Sequence, residues 1–372
     1  MRVVIVGGGY AGLSCLLQLR RLRSEVDIHL LDAGGAQIKN NHLHQTLERA
    51  LQDFSAPYPA LAQRLGFTFH QSYCPWDAAT LKDWHQTRSL PLASGPLDFD
   101  FLVLATGAQP ISLPAGDFCF GLDAFRRGLG PALLEDFRER VGDRPARCAV
   151  VGSGPSGIQF LFALHERLSR LRIETQLQLV SLDSQLVPEL PPGFHRKLLA
   201  AMTARNMRFF PATRYLGQTG TSLQLQSVAT SATQETESDL TLLFPGVSPH
   251  PTRLKTNPFG QVVLNGMGLE TIFAVGDCAA FSGRGLNSLT AQAAVRKGRL
   301  VAANLVALAN GKAPSPYNYR EKGYFLALGA FDGLGWLGWR SNLVSGLAAM
   351  AVKELLEAQY DLLLDGLDTY PG

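Results

Sequence analysis

Three glycines near the start of the chain have the spacing of a phosphate-binding turn. Gly7, Gly9 and Gly12 form the pattern GxGxxG, and Asp32 follows Gly12 by 20 residues (32 minus 12). In such a pattern the first glycine permits a tight turn, the second lets backbone N–H groups approach a pyrophosphate, and the third lets helix and strand pack closely. An acid at this offset can hydrogen-bond ribose hydroxyls. The alternative is a glycine-rich turn followed by an unrelated surface Asp.

The segments around these residues stand in the order that a dinucleotide site needs. Residues 2–6 (RVVIV) are β-branched and apolar, which predicts a buried parallel strand. A helix is predicted from Ala11 to about Leu22, and VDIHLLD predicts a second strand that ends in Asp32. The N-terminus of the helix would then face the negative charge of the ligand. This order favours dinucleotide binding over a chance match.

A second copy of the pattern follows far downstream. RCAVVGSGPSGIQFLFAL again predicts strand, glycine turn and helix, with Gly152, Gly154 and Gly157 at the glycine positions. A further strand, LQLVSLD, is predicted at 177–183. One chain with two such units is predicted to bind two nucleotides.

The composition excludes several other classes of protein. The chain has 372 residues, 46% of them hydrophobic and 17% charged, and a net charge of +3, so nucleic-acid binding has no electrostatic basis. The five cysteines include no CxxC pair, which indicates free thiols in a reducing compartment. No apolar run reaches the ~20 residues that a membrane span needs. With no apolar leader in view, we expect a cytoplasmic protein of two or three domains.

Two further segments suggest a family. DFDFLVLATGAQP (98–110) predicts a strand ending in Ala105, Thr106 and Gly107, and TIFAVGDCAAF (271–281) one ending in Gly276 and Asp277. Alone these are ordinary strand-to-turn exits. Their order resembles the two-dinucleotide flavoproteins, which implies FAD on the first unit and NAD(P)H on the second. The resemblance places Thr106, Gly107, Gly276 and Asp277 at the FAD, with Asp277 hydrogen-bonded to the ribityl chain.

Within that superfamily the chain most resembles the type II NADH dehydrogenases, single-chain NADH:quinone oxidoreductases. The resemblance lies in NNHLHQTLERAL (40–51), FPGVSPHP (244–251), LTAQAAVRKGRLVAANL (289–305) and YNYREKGYFLALG (317–329). It implies that Gln292, in the AQxA helix, and Lys322 lie near the flavin and the acceptor as candidate catalytic residues. Lys39, directly before the first of these segments, is a further candidate cofactor-binding residue.

Three positions depart from the family pattern. Gln159 stands where the family usually has Glu, and Ser181 replaces the acid expected at the end of the strand after the second glycine turn. A serine there removes the carboxylate that would repel a 2′-phosphate, so the choice between NADH and NADPH stays open. Arg296 stands where members often carry Gln, which leaves the quinone contacts open as well.

We therefore predict an α/β fold with two Rossmann-like domains of the glutathione-reductase type. The FAD domain would be discontinuous, 1–112 and 249–330, with an NAD(P)-binding domain at 113–248. Residues 331–372 are expected to form a helical segment that contacts a membrane, at its cytoplasmic face, or a second copy in a homodimer. This expectation rests on the spacing of large apolar residues in a partly helical pattern: Trp336, Trp339, Leu343, Leu347, Met350 and Leu355.

The predicted function is an FAD-dependent NAD(P)H:quinone oxidoreductase, with hydride passing from NAD(P)H to flavin N5 and two electrons then reaching a quinone-like acceptor. One alternative is a soluble NAD(P)H oxidoreductase with another acceptor. The other is a flavin-binding regulatory module with a degenerate NAD site. Sulfide:quinone oxidoreductase is disfavoured because Cys119 and Cys148 do not match that family's cysteines. No metal is expected, since His42 and His44 lack partners at ligand spacing.

Overall fold

The computed structural model describes residues 1–249 and 253–370. Its first part alternates strands and helices. Two 3-10 helices, Asn40–Leu47 and Leu51–Phe54, lie between the third and fourth strands. The elements are β1 (Arg2–Val6), α1 (Tyr10–Leu22), β2 (Asp27–Asp32), β3 (Ala36–Ile38), β4 (Ser55–Pro57), α2 (Tyr58–Leu65), β5 (Thr68–Gln71), α3 (Ala78–Thr87), β6 (Ser89–Leu92), β7 (Gly95–Asp98), β8 (Phe101–Leu104) and β9 (Ala108–Pro110).

The middle of the chain builds a separate parallel sheet and a small antiparallel one. The elements are β10 (Cys119–Gly121), α4 (Leu122–Arg126), α5 (Ala132–Val141), β11 (Ala146–Val151), α6 (Pro155–Arg170), β12 (Thr175–Val180), α7 (Pro192–Thr203), β13 (Arg208–Phe210), β14 (Thr213–Thr219), β15 (Ser222–Ser227), β16 (Thr233–Glu237), β17 (Leu240–Leu243) and β18 (Val247–Pro249). The parallel sheet has the order β10-β17-β11-β12-β13, and β14-β15-β16 are antiparallel.

The last part of the chain returns to the first sheet. Its elements are β19 (Leu254–Thr256), β20 (Gln261–Leu264), β21 (Met267–Ala274), β22 (Ala279–Phe281), α8 (Ala291–Ala309), β23 (Gly323–Ala327), β24 (Gly333–Leu337), β25 (Leu343–Ser345) and α9 (Leu347–Leu364). The first sheet has the order β22-β19-β20-β21-β8-β1-β2-β5, and β21 lies parallel to β8. Where the chain passes between the two parallel sheets, β9 and β18 pair with each other.

The predicted α/β fold with two Rossmann-like sheets is confirmed. In each sheet the strand before the glycine turn lies between the strand after the first helix and a later strand: β2-β1-β8 in one, β12-β11-β17 in the other. The strands β1 and β11 are almost entirely buried, as continuous apolar runs in a parallel sheet require. Helix α8 packs on α1 through Gly298, where a Cβ atom would lie 2.2 Å from the Ala11 carbonyl oxygen.

The C-terminal segment differs from the prediction of a helical segment over 331–372. Only Leu347–Leu364 is helical, because the preceding glycine-rich residues form β24 and β25, which pair with β23. A boundary at residue 330 therefore falls inside one sheet. Trp336 is buried in the second core rather than exposed beside Trp339, because Trp336 lies within β24 whereas Trp339 lies beyond the end of that strand. Of the segment 244–251, His250 and Pro251 lie outside the described residues.

Candidate functional site

The first glycine turn connects β1 to α1. Gly7 has a φ of +104°, and a Cβ atom on it would lie 2.4 Å from the Ala105 carbonyl oxygen. Gly12 lies against the backbone of Gly7, where a Cβ atom would be only 1.9 Å from the carbonyl oxygen. Gly9 is the residue before α1, has no side-chain cap, and would have nothing within 4 Å of an added Cβ atom. The unpaired N–H groups of the helix N-terminus therefore face open space, which is the arrangement that accepts a phosphate.

Asp32 closes this turn from the end of β2. Its Oδ2 accepts a hydrogen bond from the Gly8 N–H at 2.7 Å, and its Oδ1 accepts one from the Gly34 N–H, also at 2.7 Å. The Tyr58 hydroxyl donates to Oδ2 at 3.3 Å. An ionised carboxylate offers about four acceptor positions, so these contacts hold Asp32 in place and leave capacity for ribose hydroxyls.

The second turn repeats this geometry between β11 and α6. Gly152 has a φ of +107°, and a Cβ atom there would lie 1.9 Å from the Phe244 carbonyl oxygen. Gly157 lies against the Gly152 carbonyl as Gly12 lies against that of Gly7. Gly154 precedes α6, and a Cβ atom on it would again have nothing within 4 Å. The positions of the three glycines thus match in the two units.

The residue at the acid position differs between the units. Gly7 N–H donates to the Leu31 carbonyl and Gly152 N–H to the Val180 carbonyl, so Ser181 occupies the place of Asp32. Ser181 is buried, its Oγ lies 2.6 Å from Ser153 Oγ, and it accepts a hydrogen bond from the Asp183 N–H at 3.0 Å. The second unit therefore holds its strand end with neutral hydroxyls where the first uses a carboxylate.

A cleft of about 760 Å³ connects the two turns. Its volume lies within the range of pockets that hold small-molecule ligands, roughly 300–1,000 Å³. Gly7, Gly9 and Asp32 line it on one side, and Gly154 and Gly157 on the other. Four further predicted residues line it between these sides: Thr106, Gly107, Gly276 and Asp277. Gly12 and Gly152 lie behind the surface and shape the turns.

The turn that carries Asp277 is supported by a buried lysine. Lys297, from α8, donates hydrogen bonds from Nζ to the carbonyl oxygens of Gly276 at 3.1 Å and Ala279 at 2.8 Å. Burial, together with the charge of Arg253, lowers the pKa of Lys297 to about 8. Burial also raises the pKa of Asp277 above its ordinary value, against the opposing charges of Lys297 and Arg253. The turn therefore presents its carboxyl to the cleft from a fixed backbone.

A smaller cavity of about 160 Å³ adjoins the cleft, and Tyr10, Gln159 and Ala291 line both. Gln292 lines the smaller cavity from the first turn of α8, which is capped by the Thr290 hydroxyl accepting from the Ala293 N–H at 3.2 Å. Gln159 Oε1 accepts from the Ala327 N–H at 3.2 Å and so connects α6 to β23. Gln159 thus lies where the two spaces meet, and Gln292 lines only the smaller cavity.

Charged side chains of α9 form the far wall of the smaller cavity. Lys353 Nζ donates to Glu357 Oε1 at 2.5 Å, and Lys39 Nζ lies 2.6 Å from Asp361 Oδ1. Behind them Gln37 Nε2 donates to the Tyr360 hydroxyl at 2.6 Å, and the ring of Tyr360 lies 4.6 Å from that of Tyr10. We call Lys39, His42, Lys353, Glu357 and Asp361 the charged wall.

Two predicted residues, Lys322 and Lys39, lie outside the lining of the cleft. Lys322 is exposed at the start of β23 and lines neither cavity, because its neighbours Glu321 and Gly323 take the inward positions. Lys39 lines the smaller cavity rather than the cleft, because its ammonium group pairs with Asp361. Arg296 has its guanidinium 5.5 Å from the centre of the Tyr370 ring.

The histidines of the 40–51 segment point in different directions. His42 Nε2 lies 3.0 Å from Glu357 Oε2, whereas His44 is buried with its ring edge towards Phe160. Burial, together with the charges of Lys353 and Lys39, lowers the pKa of His42 to about 3. His42 is therefore a neutral imidazole at neutral pH.

Sequence reasoning missed Tyr10, Lys297 and the α9 members of the charged wall, which are Lys353, Glu357 and Asp361. The signal for Tyr10 was its position directly after Gly9, where a side chain must meet the cleft. For α9 the signal was a pair of opposite charges four residues apart, Lys353 and Glu357, within an apolar helix. Nothing in the sequence indicated that Lys297 would be buried.

Comparison with known proteins agrees with this geometry. The profile of the family described as "Pyridine nucleotide-disulphide oxidoreductase" matches residues 1–298. The type II NADH:quinone oxidoreductase of Staphylococcus aureus (strain NCTC 8325 / PS 47) is 22% identical to the chain, over 98% of this chain and 96% of that protein. The similarity to type II NADH dehydrogenases that the motifs predict is thus confirmed.

Two solved structures share the fold along most of the chain. The sulfide:quinone oxidoreductase of the hyperthermophilic bacterium Aquifex aeolicus superposes with a TM-score of 0.81 at 15% identity, over 100% of this chain and 93% of that one. NDH2 of Plasmodium falciparum in complex with NADH gives a TM-score of 0.78 at 12% identity, over 96% and 94%. At these identities the likeness describes the fold.

Proposed function

Because the chain belongs to the pyridine nucleotide-disulphide oxidoreductase family, we propose that it is an FAD-dependent NAD(P)H:quinone oxidoreductase. The observation that carries the proposal is the cleft shared by two glycine turns of matching geometry, with Gly9 on one side and Gly154 on the other. Two dinucleotides held there would meet end to end. The relatedness to proteins named type II NADH:quinone oxidoreductase, over nearly the whole of both chains, supports this donor and acceptor.

The first unit fits FAD in two respects. Gly9 leaves open space at the uncapped N-terminus of α1, where backbone N–H groups would bind the diphosphate. Asp32, fixed by two backbone N–H groups, would accept from the ribose hydroxyls. Bound FAD would supply the two-electron chemistry, and the protein's part is to orient it and to shape its surroundings. Asp277 and Thr106 would contact its remaining length in the cleft.

The glycine turn of the second unit fits a nicotinamide nucleotide, but the unit has no acidic residue at the position equivalent to Asp32. Gly154 and Gly157 line the cleft, whereas Ser181 is buried against Ser153. The matched turn argues against a regulatory module that has lost its nucleotide site. We therefore assign 113–248 to NAD(P) binding and 1–112 with 249–330 to FAD binding. The pairing of β9 with β18 at both crossings supports these boundaries.

The smaller cavity is the place proposed for the quinone-like acceptor. It is reached from the cleft past Tyr10 and Ala291, so an acceptor there would lie beside the flavin end of the cleft. Gln292 lines it with an amide that can donate to an acceptor oxygen. In this proposal Gln292 orients the acceptor, and Lys322 has no contact with it.

The outer face of α9 supports contact with a membrane surface. Leu347, Ala351, Leu355, Ala358 and Leu362 are exposed and share one face of the helix, with Glu354 as the charged residue among them. The charged groups of Lys353 and Glu357 point inward, which is the reverse of an ordinary surface helix. Trp339 and Phe331, both more than three-quarters exposed, lie in loops of the same segment. Among the residues that the structure describes, no helix is long and apolar enough to cross a bilayer.

We therefore propose that the outer face of α9 lies on a lipid surface. A lipid-soluble quinone would enter the smaller cavity from that surface, beneath α9. The alternative is that this face contacts a second copy of the chain in a homodimer. We place the contact at the cytoplasmic face, because the five cysteines are all free and suit a reducing compartment.

Sulfide oxidation, the chemistry named for one structural neighbour, has less support in this chain. A reactive cysteine acts as its thiolate and needs access to the flavin. Cys148 and Cys278 are fully buried, and burial raises the pKa of both thiols. Cys119 lines the cleft, but it donates to Gln218 Oε1 at 3.2 Å and has a raised pKa. The three thiols do not form a reactive pair.

The test of the function is an anaerobic titration of the purified yellow protein. NADH or NADPH should bleach the oxidised-flavin absorbance, and a short-chain quinone should restore it much faster than oxygen does. Protein that stays yellow with both donors would contradict the enzyme proposal and favour a binding module. Bleaching followed by equally slow reoxidation with quinone and oxygen would point to another acceptor.

A further inference from the structure

Reduction of a quinone consumes protons as well as electrons, so the site must hold a proton donor within reach of the acceptor. Among the described residues that line the smaller cavity, three are carboxylic acids: Glu321, Glu357 and Asp361. Asp361 is 45% exposed and pairs with Lys39 at 2.6 Å. Glu357 is 12% exposed and lies deeper in the wall.

Glu357 is surrounded by groups from three elements. On α9 it faces Lys353 and Asp361, with the exposed Glu354 nearby. From the 3-10 helix Asn40–Leu47, His42 Nε2 lies 3.0 Å from Glu357 Oε2, outside hydrogen-bonding angles. From α1, Tyr10 lines the same cavity; burial raises the pKa of its hydroxyl, and a negative charge on Glu357 raises it further.

These surroundings keep a proton on Glu357 near neutral pH. Burial raises the pKa of Glu357 to about 7, although the ammonium group of Lys353 opposes the shift at 2.5 Å. His42 stays neutral and takes no proton from the carboxyl. The carboxylate left after donation would be stabilised by Lys353, so the same pair can hold either form of the acid.

We infer that Glu357 is the general acid that donates a proton to the oxygen of the acceptor in the smaller cavity, an inference that rests on the proposed function. The O–H bond of the carboxyl breaks as an O–H bond forms on the acceptor. NAD(P)H supplies a hydride equivalent, two electrons and one proton, by way of the flavin. The sum is NAD(P)H plus quinone plus the Glu357 proton, giving NAD(P)⁺, quinol and the Glu357 carboxylate. Solvent then returns a proton to Glu357 past the exposed Asp361.

The test compares Glu357→Gln with Glu354→Gln in the FAD-loaded protein. Glu354 lies on the same helix three residues earlier, is exposed, and serves as the matched control. Reduction by NAD(P)H should be the same in both variants and the wild type. Reoxidation by a short-chain quinone should be slower by roughly 10²-fold in Glu357→Gln alone, the size of a general-acid contribution. Reoxidation by ferricyanide, which takes electrons without protons, should be unchanged.

A second measurement does not depend on turnover. In the infrared spectrum of the oxidised protein, a protonated-carboxyl band that shifts in D₂O should disappear as the pH rises through about 7. The band should be missing in Glu357→Gln and present in Glu354→Gln. If Glu357→Gln does not retain FAD, Lys353→Gln replaces it. Removal of the opposing charge should move both the loss of the band and the fall in quinone reoxidation to higher pH.

The outcomes separate the two proposals. A wild-type protein that NAD(P)H does not bleach, or that quinone does not reoxidise, contradicts the proposed function. Quinone reoxidation in Glu357→Gln at the wild-type rate and with the wild-type pH profile contradicts the general acid and leaves the function standing. So does an infrared band that survives in Glu357→Gln. Equal slowing with quinone and ferricyanide would show a structural effect and would also overturn the inference.

Discussion

Ser153 and Ser181 meet through their hydroxyl oxygens at 2.6 Å, at the position where Gly8 and Asp32 meet in the first unit. The two pairs are equivalent because the glycine before each donates its N–H to the same strand position. One pair carries a negative charge at the nucleotide site, and the other is neutral and buried.

This difference predicts the choice of nicotinamide nucleotide. The double variant Ser153→Gly with Ser181→Asp would copy the Gly8–Asp32 pair, with the glycine removing the side chain that fills the space. A carboxylate there repels a 2′-phosphate and accepts from a 2′-hydroxyl. The ratio of kcat/KM for NADPH to that for NADH should fall by about tenfold or more. An unchanged ratio would mean that this strand end does not contact the adenosine ribose.

The open space around Gly9 and Gly154 predicts that a larger residue at each position blocks a different nucleotide. Gly9 and Gly154 both precede their helix with a φ near −70°, and neither has an atom within 4 Å of a Cβ position. Valine at either place should therefore fold but block the diphosphate. Gly9→Val should be purified without FAD, whereas Gly154→Val should stay yellow and resist bleaching by NAD(P)H. A yellow Gly9→Val protein would place FAD elsewhere, and each variant is the control for the other.

The raised pKa of Glu357 predicts how stability depends on pH. The folded protein holds this proton up to about pH 7, whereas the unfolded carboxyl releases it near 4.5. The free energy of unfolding should therefore fall as the pH rises from about 4.5 to 7, by roughly 3 kcal/mol for this group. Glu357→Gln should remove that part of the fall, measured as Tm against pH. Glu354→Gln should follow the wild type, and identical curves for all three proteins would contradict the raised pKa.

The outer face of α9 predicts binding to lipid. Leu355 is 70% exposed and has no role inside the protein, so Leu355→Glu should fold normally. The added charge should weaken sedimentation with liposomes, by severalfold when combined with Leu347→Glu. Activity with a water-soluble quinone should be kept. Unchanged liposome binding would exclude this face, and a change from dimer to monomer in the double variant would assign it to a second copy.

Much of the site could be predicted from local sequence, because it depends on backbone geometry within short segments. A glycine turn needs Gly7 or Gly152 at a left-handed φ, and a parallel strand buried on both faces needs a run such as RVVIV. These requirements act over a few residues, so the two units, their nucleotide turns and the α/β fold followed from the sequence. The same reasoning placed Asp32 and its replacement Ser181 correctly at equivalent strand ends.

Tertiary structure decided what surrounds the acceptor cavity. Lys39 pairs with Asp361, which lies 322 residues further along the chain (361 minus 39), and Lys322 is exposed. The inner face of α9 was equally unreadable: the sequence suggested that its leucines contact a membrane or a second copy, and only the structure shows that Lys353 and Glu357 face inward. Which face of a helix is buried depends on the polarity of the surface it meets, and that surface is assembled from distant segments. The spacing of residues along one segment therefore does not show which face of the helix will be buried.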